Sequence, residues 1–188
     1  MSLLHSDTLI VEQPWTAGSL LLRPSYRAEV YDGRDFLLAS VREGDGPGLQ
    51  RPLRYTGLSG LTTFDLVVTA PTGQPLLGVH KDFGRRPHLH VTVPGGRAVG
   101  SIKWLRRTEH ALLDTSGRQL CLLGDVAHLK IGDITKRNGK RVRRDVIQIR
   151  PGTAEPLRSL AIAGGVAFDV LRGKGTSHTS GDISWPVG

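Results

Sequence analysis

LRSLAIAGGVAFDVL, residues 157 to 171, is the one strong helical signal in a chain that otherwise reads as short strands and glycine turns. An amphipathic surface helix shows a clear polar side, and this one is apolar around nearly its whole circumference. It therefore needs an enclosing wall. Pro156 suits the first helical turn and Gly173 the position just past the C-terminus. A single helix over 156–171 would extend about 24 Å, roughly the height of a small barrel. Ala161, Ala163, Gly164, Gly165 and Ala167 keep the rod slim. Arg158 and Asp169 fall about 20° apart around the axis, at opposite ends of one narrow stripe, where each is expected to meet a polar partner. The stretch is shorter than the about 20 residues needed to span a bilayer, and it carries both of these charges, which favours a buried helix over a membrane anchor.

Working back toward the N-terminus, apolar positions alternate in short runs from Ala28 onward, as in a meander of antiparallel strands. Phe64, Leu66 and Val68 alternate with Asp65, Val67 and Thr69, and similar runs cover 76–81, 88–93, 98–104, 111–114 and 119–123. The turn glycines Gly73, Gly96 and Gly117 recur at 23 and 21 residues, so a β-hairpin is the repeating unit. Gly78, Gly100 and Gly132 sit within returning strands, where glycine marks a bulge or close backbone approach. Such a curved sheet closes most readily into a barrel, which removes exposed edges. Residues 45–61, rich in glycine and proline, read as a long loop around a short strand. Residues 1–27 read as an N-terminal segment partly joined to the barrel, 28–172 as the barrel itself, and 173–188 as a polar tail.

The chain has 188 residues, 38% of them hydrophobic and 5% aromatic, with 24 glycines and 11 prolines, which fits one turn-rich β domain better than a helical bundle. The single cysteine, Cys121, lies in the apolar run LCLL and is expected as a small buried hydrophobe; one cysteine allows no disulfide framework. The first 15 residues lack a basic region followed by a continuous apolar run, so the expected location is cytoplasmic. The formal net charge of +8 points to an anionic partner or to a basic surface. Its distribution is uneven. Lys136, Arg137, Lys140, Arg141, Arg143 and Arg144 fall within nine residues, around an Asn138-Gly139 hairpin turn. Lys103, Arg106 and Arg107, with Arg85 and Arg86, would extend this patch if their loops share its end. Near an anionic membrane six such charges could supply at most about 6 kcal/mol.

The motifs in chain order resemble those of the tubby-like superfamily, in its branch of phospholipid scramblase-like and LURP-one-related proteins. They are Val99-Gly100-Ser101-Ile102-Lys103-Trp104, the turn around Leu113, Asp114, Gly117 and Leu120, Ile131-Gly132-Asp133-Ile134-Thr135-Lys136, the basic hairpin, Asp145-Val146-Ile147-Gln148-Ile149, and LRSLAIAGGVAFD. The resemblance spans roughly Ala28 to Leu171. It implies a mainly β fold, a closed antiparallel barrel of about 12 strands with the C-terminal helix threaded through its centre. It offers no catalytic residues and no cofactor to carry over, and implies binding of phosphoinositide-like headgroups through basic surface side chains. The chain departs from the scramblases in having no cysteine cluster for palmitoylation, no proline-rich N-terminal region and no external spanning segment, so lipid scrambling is not expected.

The expected function is non-enzymatic binding of anionic lipid headgroups or another polyanion by a monomer, peripheral at the membrane. Two alternatives stand beside it: a nucleic-acid-binding barrel, and a protein-interaction module with no small ligand. Nucleic-acid binding is disfavoured because only Trp104, Tyr55 and Phe83 lie near basic residues as stacking platforms. His88-x-His90, with His80 nearby, projects two imidazoles from one strand face, as in cupin metal sites. The stretch 91–100 holds no carboxylate to complete such a site, so no metal is expected there. Ser59 lies in Gly57-Leu58-Ser59-Gly60, which lacks the spacing of a nucleophile elbow. No P-loop or dinucleotide fingerprint occurs.

Overall fold

The computed structural model describes residues 2–14, 26–44, 61–84, 86–106 and 109–171. A 3-10 turn at Leu3–His5 precedes β1 (Thr8–Pro14), β2 (Arg27–Asp32), β3 (Leu37–Glu43), β4 (Phe64–Thr69), β5 (Pro75–Lys81), β6 (His88–Thr92), β7 (Ala98–Arg106), β8 (Glu109–Leu113) and β9 (Gln119–Leu122). A four-residue helix, α1 (Leu123–Val126), leads into β10 (Ala127–Lys130), β11 (Ile134–Arg137) and β12 (Lys140–Ile149). Helices α2 (Leu157–Val166) and α3 (Phe168–Leu171) follow. All 12 strands belong to one antiparallel sheet, in the order β10-β12-β1-β2-β3-β4-β5-β6-β7-β8-β9, with β11 paired to β12 beside β10. The N-terminal segment contributes β1, paired with both β12 and β2. The ladder has two ends, β9 and β10, and α1 is the connection between them.

Four hairpins are built alike. In each, the N–H of the first turn residue donates to the carbonyl four residues on: Asp32 to Phe36, Ala70 to Gln74, Val93 to Arg97 and Asp114 to Arg118. The residue three positions on donates back and takes a left-handed backbone: Asp35 (φ 65°), Gly73 (87°), Gly96 (80°) and Gly117 (83°). At three of the four this is a type I turn closed by a left-handed residue, a three-residue hairpin loop; at 93–97 Gly95 is left-handed as well (φ 85°), which makes that turn type II. Each returning strand then skips one register position, at Leu38, Leu76, Val99 and Leu120. A bulge bends its strand and increases local twist, so four at equivalent places curl the sheet in one sense.

The sheet is not closed by strand pairing between its two ends, and α2 is buried against its inner face. The helix touches β5, β6 and β7 from one part of the sheet, β12 from near its other end, α1, and the 3-10 turn. Every residue from Arg158 to Val166 is buried, and fully burying Leu160, Ile162 and Val166 contributes roughly 1.5–3 kcal/mol each. Gly165 is required by close approach, since a Cβ there would lie 2.1 Å from Ile147 Cδ1. The expected single helix over 156–171 is interrupted: Ala167, at φ −101° and ψ 20°, ends α2, and a separate turn, α3, follows. Continuous apolar patterning cannot register such a break, because both turns face the same core. Arg158 finds its expected partners in Asp7, 2.9 Å away, and the carbonyl of Leu4. At the other end, Tyr26 Oη donates to the Val166 carbonyl at 2.7 Å and accepts from Gln13 Nε2. Cys121 is half-buried and packs against the core. Among the described residues no helix is long and apolar enough to cross a membrane. The tail 173–188, the expected loop and short strand over 45–60, Gly173, Tyr55, Ser59 and the Asp169 side chain lie outside the described residues.

Candidate functional site

The basic hairpin forms as the sequence suggests. Asn138 (φ 49°) and Gly139 (φ 78°) make a two-residue turn with both residues left-handed, the type whose twist matches the flanking strands. Strand register then divides its six cations into two groups. Arg143 faces inward with Asp145, Ile147 and Ile149, because positions two apart share a face; its Nη2 donates to Asp145 Oδ2 at 2.7 Å and both residues are buried. Arg137 and Arg144 converge on Glu12, an outward residue of β1 that their side chains cover to 2% exposure. Arg137 Nε donates to Glu12 Oε2 at 2.5 Å, and its Nη2 donates to Asp35 Oδ1 at 2.8 Å. Arg144 Nε donates to Glu12 Oε1 at 2.8 Å. The Arg137 guanidinium also stacks 4.0 Å from the Tyr31 ring, and the Glu12 hydrogen bond holds its proton more tightly still.

Lys136, Lys140 and Arg141 remain exposed, without an ion-pair partner among the described residues. Lys136 stands directly opposite Arg141, and Arg137 opposite Lys140. Like charges in direct cross-strand register are destabilising, and nothing on the hairpin relieves the Lys136–Arg141 pair. Beside this tip lies the β2–β3 turn, tied to it by the Asp35–Arg137 bond. Residues 33–37 of this turn are all exposed, Arg34, Phe36 (65% exposed) and Leu37 among them. Sequence reading did not single this turn out, because only tertiary contact makes it a neighbour of residues 136–141. The proposed extension of the patch is not brought to the hairpin by the ladder. Lys103 and Arg106 lie on β7, far from β12 in strand order, where Arg106 pairs with Glu109 at 2.9 Å. Arg86 lies over the Trp104 ring. Arg85 and Arg107 lie outside the described residues.

A second constellation forms on the outward face of β4, β5 and β6. Asp65 pairs in register with His80, and His80 with His90. The inward neighbours Phe64, Leu66, Val79, Leu89 and Val91 fill the core, so the period of two turns these polar residues outward. Beyond β5 the chain is fixed by Lys81, whose buried ammonium donates to the carbonyls of Thr62 and Asp82, each at 2.9 Å, and of Gly84 at 3.3 Å. Burial pushes that ammonium down to about 8. Asp82 is thereby held against the histidines: Oδ2 lies 2.7 Å from His90 Nε2 and 3.8 Å from His88 Nδ1, and Oδ1 lies 3.5 Å from His80 Nε2. His80 Nδ1 is 2.7 Å from Asp65 Oδ1. The His88 and His90 rings are 4.4 Å apart. Burial, with the neighbouring His90 adding to it, lowers the proton affinity of His88. The three surrounding histidines hold the Asp82 carboxyl below its usual range, against the opposing effect of burial.

The missing carboxylate thus lies before the histidine pair, not after it. Pairing 76–81 with 88–93 as a hairpin already sets His80 opposite His90 and brings Asp82 alongside His88, so the register carried the signal. No protein-family model, curated protein or solved structure matches the chain.

Proposed function

We propose that the protein is a tubby-like closed barrel around α2 that adsorbs to anionic phospholipid headgroups through the tip of the β11–β12 hairpin, as a monomer peripheral at the cytoplasmic face of a membrane. The barrel reading is supported by the burial of α2 on all sides and by the connection of the two sheet ends through α1. The binding reading rests on one observation above all: Lys136 and Arg141 face each other in register with no carboxylate partner among the described residues, and Lys140 adds a third exposed cation. An anion between them removes a repulsion that the fold otherwise tolerates. Arg137 and Arg144 serve as anchors that hold the tip, since their charge is already met by Glu12 and Asp35. Headgroup binding is favoured over nucleic acid by the adjacent Phe36 and Leu37, an exposed apolar pair able to enter the interfacial layer beside the cations.

Three cations at about 1 kcal/mol each give at most about 3 kcal/mol, close to 100-fold in partitioning. Co-sedimentation with neutral vesicles and with vesicles containing an anionic phospholipid tests this. The wild type is expected to bind the anionic vesicles alone, and the Lys136→Ala/Lys140→Ala/Arg141→Ala variant to lose that binding. Equal binding by the two proteins discards the reading, and so does retention of an oligonucleotide with a steep salt slope in place of vesicle binding.

A further inference from the structure

We propose that Asp82, His88 and His90 form a binding site for a divalent first-row transition metal of the zinc class, with Asp82 Oδ2, His88 Nδ1 and His90 Nε2 as donors. These three atoms lie within 4.8 Å of one another. Zinc bonds to nitrogen and oxygen are about 2.0–2.2 Å long, which sets donors around one ion roughly 3–3.5 Å apart. The observed separations of 2.7 and 3.8 Å to Asp82 bracket that spacing, and all three side chains are partly exposed and free to adjust.

Three further features separate the cluster from an incidental group of surface histidines. Neither nitrogen of His88 is hydrogen-bonded among the described residues: Nε2 is buried without a partner, and Nδ1 is too far from Asp82 for a hydrogen bond. Protein folding alone leaves this imidazole unused, and a metal at Nδ1 uses it. The two oxygens of Asp82 are also divided in function, with Oδ2 turned to His88 and His90 and Oδ1 to His80. His80, itself hydrogen-bonded to Asp65, stands 3.5 Å from Oδ1, so the carboxylate is flanked by an imidazole on that side too, in the place where outer groups position metal ligands. Finally, Lys81 pins the backbone of Asp82 from the core side. The donor types select the ion: two imidazoles and one carboxylate suit zinc, nickel, cobalt or copper, whereas calcium and magnesium take oxygen ligands throughout. Three protein donors leave a coordination position for water or an incoming ligand on the solvent side.

Isothermal calorimetry with zinc sulfate on the full, tag-free chain at neutral pH tests the site. One zinc per chain is expected. Asp82→Asn, His88→Ala and His90→Ala should each weaken binding by about 10-fold or more, and Asp65→Asn by about 10-fold through loss of orientation. His128→Ala, on β10, should leave it unchanged. Absence of binding, or binding equal in the wild type and the His88→Ala/His90→Ala double variant, overturns the proposal. Cobalt(II) spectroscopy of the wild type stands independently of whether any variant folds. Visible ligand-field bands without thiolate charge transfer are expected, and a thiolate band would assign the metal to Cys121 and overturn the site.

Discussion

The β11–β12 hairpin and the β5–β6 histidine cluster begin alike, as local concentrations of one residue type, and the carboxylates the fold sets beside them take them in opposite directions. In the hairpin, Glu12 and Asp35 arrive from far away in the chain and meet Arg137 and Arg144, and Asp145 on the same strand meets Arg143, so half of a run of six cations becomes structural. In the cluster, Asp82 from the β5–β6 connection and Asp65 from β4 give a weak histidine pair a metal-ligand constellation. A count of like residues therefore overstates the first site and understates the second. Charge acquires a role only through what the fold sets beside it.

The largest expected effect on this contrast comes from Gly132→Ala. A Cβ there would lie 1.4 Å from the Arg144 carbonyl oxygen, and the Gly132 N–H donates to Asp145 Oδ1 at 3.1 Å. Denaturant unfolding should record a loss of about 3 kcal/mol, as backbone must move at the root of the hairpin while the histidine cluster keeps its zinc affinity. A near-neutral result would mean that this connection is not fixed against β12. Next, Glu12→Gln should cost about 2 kcal/mol by leaving two guanidiniums without their shared charge, and should strengthen binding to anionic vesicles by releasing them. Weaker vesicle binding in a folded Glu12→Gln protein would place Glu12 in the headgroup site and break the division between anchor and tip.

Lys81→Met should cost about 1–2 kcal/mol by orphaning carbonyls around residues 62–84, and should weaken zinc binding without touching vesicle binding. Tyr31 supplies a smaller, pH-dependent test. Burial first, and the Glu29 hydrogen bond second, push its hydroxyl up to about 12. A raised folded-state value means that its stabilisation is fully present below pH 10, the usual tyrosine value, and is lost as pH rises from about 10 to 12. Spectrophotometric titration should lose a step near pH 12 in Tyr31→Phe. Last, Arg106→Ala, which removes an exposed guanidinium from its pair with half-buried Glu109, should change neither melting temperature nor vesicle binding measurably. A fall in vesicle binding comparable to that of the tip variant would join β7 to the hairpin as one basic surface.

Much of the framework was legible along the chain. Period-two burial appears in β4 as the residues suggest, and Gly73, Gly96 and Gly117 mark real turns because left-handed backbone favours glycine. The equivalent turn at Asp35 escaped the repeat because an aspartate fills that place. The bulges at Leu38, Leu76, Val99 and Leu120 were not legible, since an extra apolar residue looks the same in sequence whether it is paired or skipped. Gly100 and Gly132 do mark close backbone approach, but Gly132 lies between strands and not inside one. Within the candidate sites, the hairpin turn was readable and the fate of its arginines was not.

Residue order alone determined that this is a mainly β chain of hairpins with one slim, largely apolar helical stretch, because periodicity, turn chemistry and helix composition are local properties. It also located the cation-rich turn and the histidine pair. Only the tertiary structure decided which of those charges stay free and which histidines gain a carboxylate. Glu12 meets Arg137 across 125 positions, and Asp65 meets His80 across 15. Strand register creates both contacts, and a one-residue slip would turn every such side chain to the other face of the sheet.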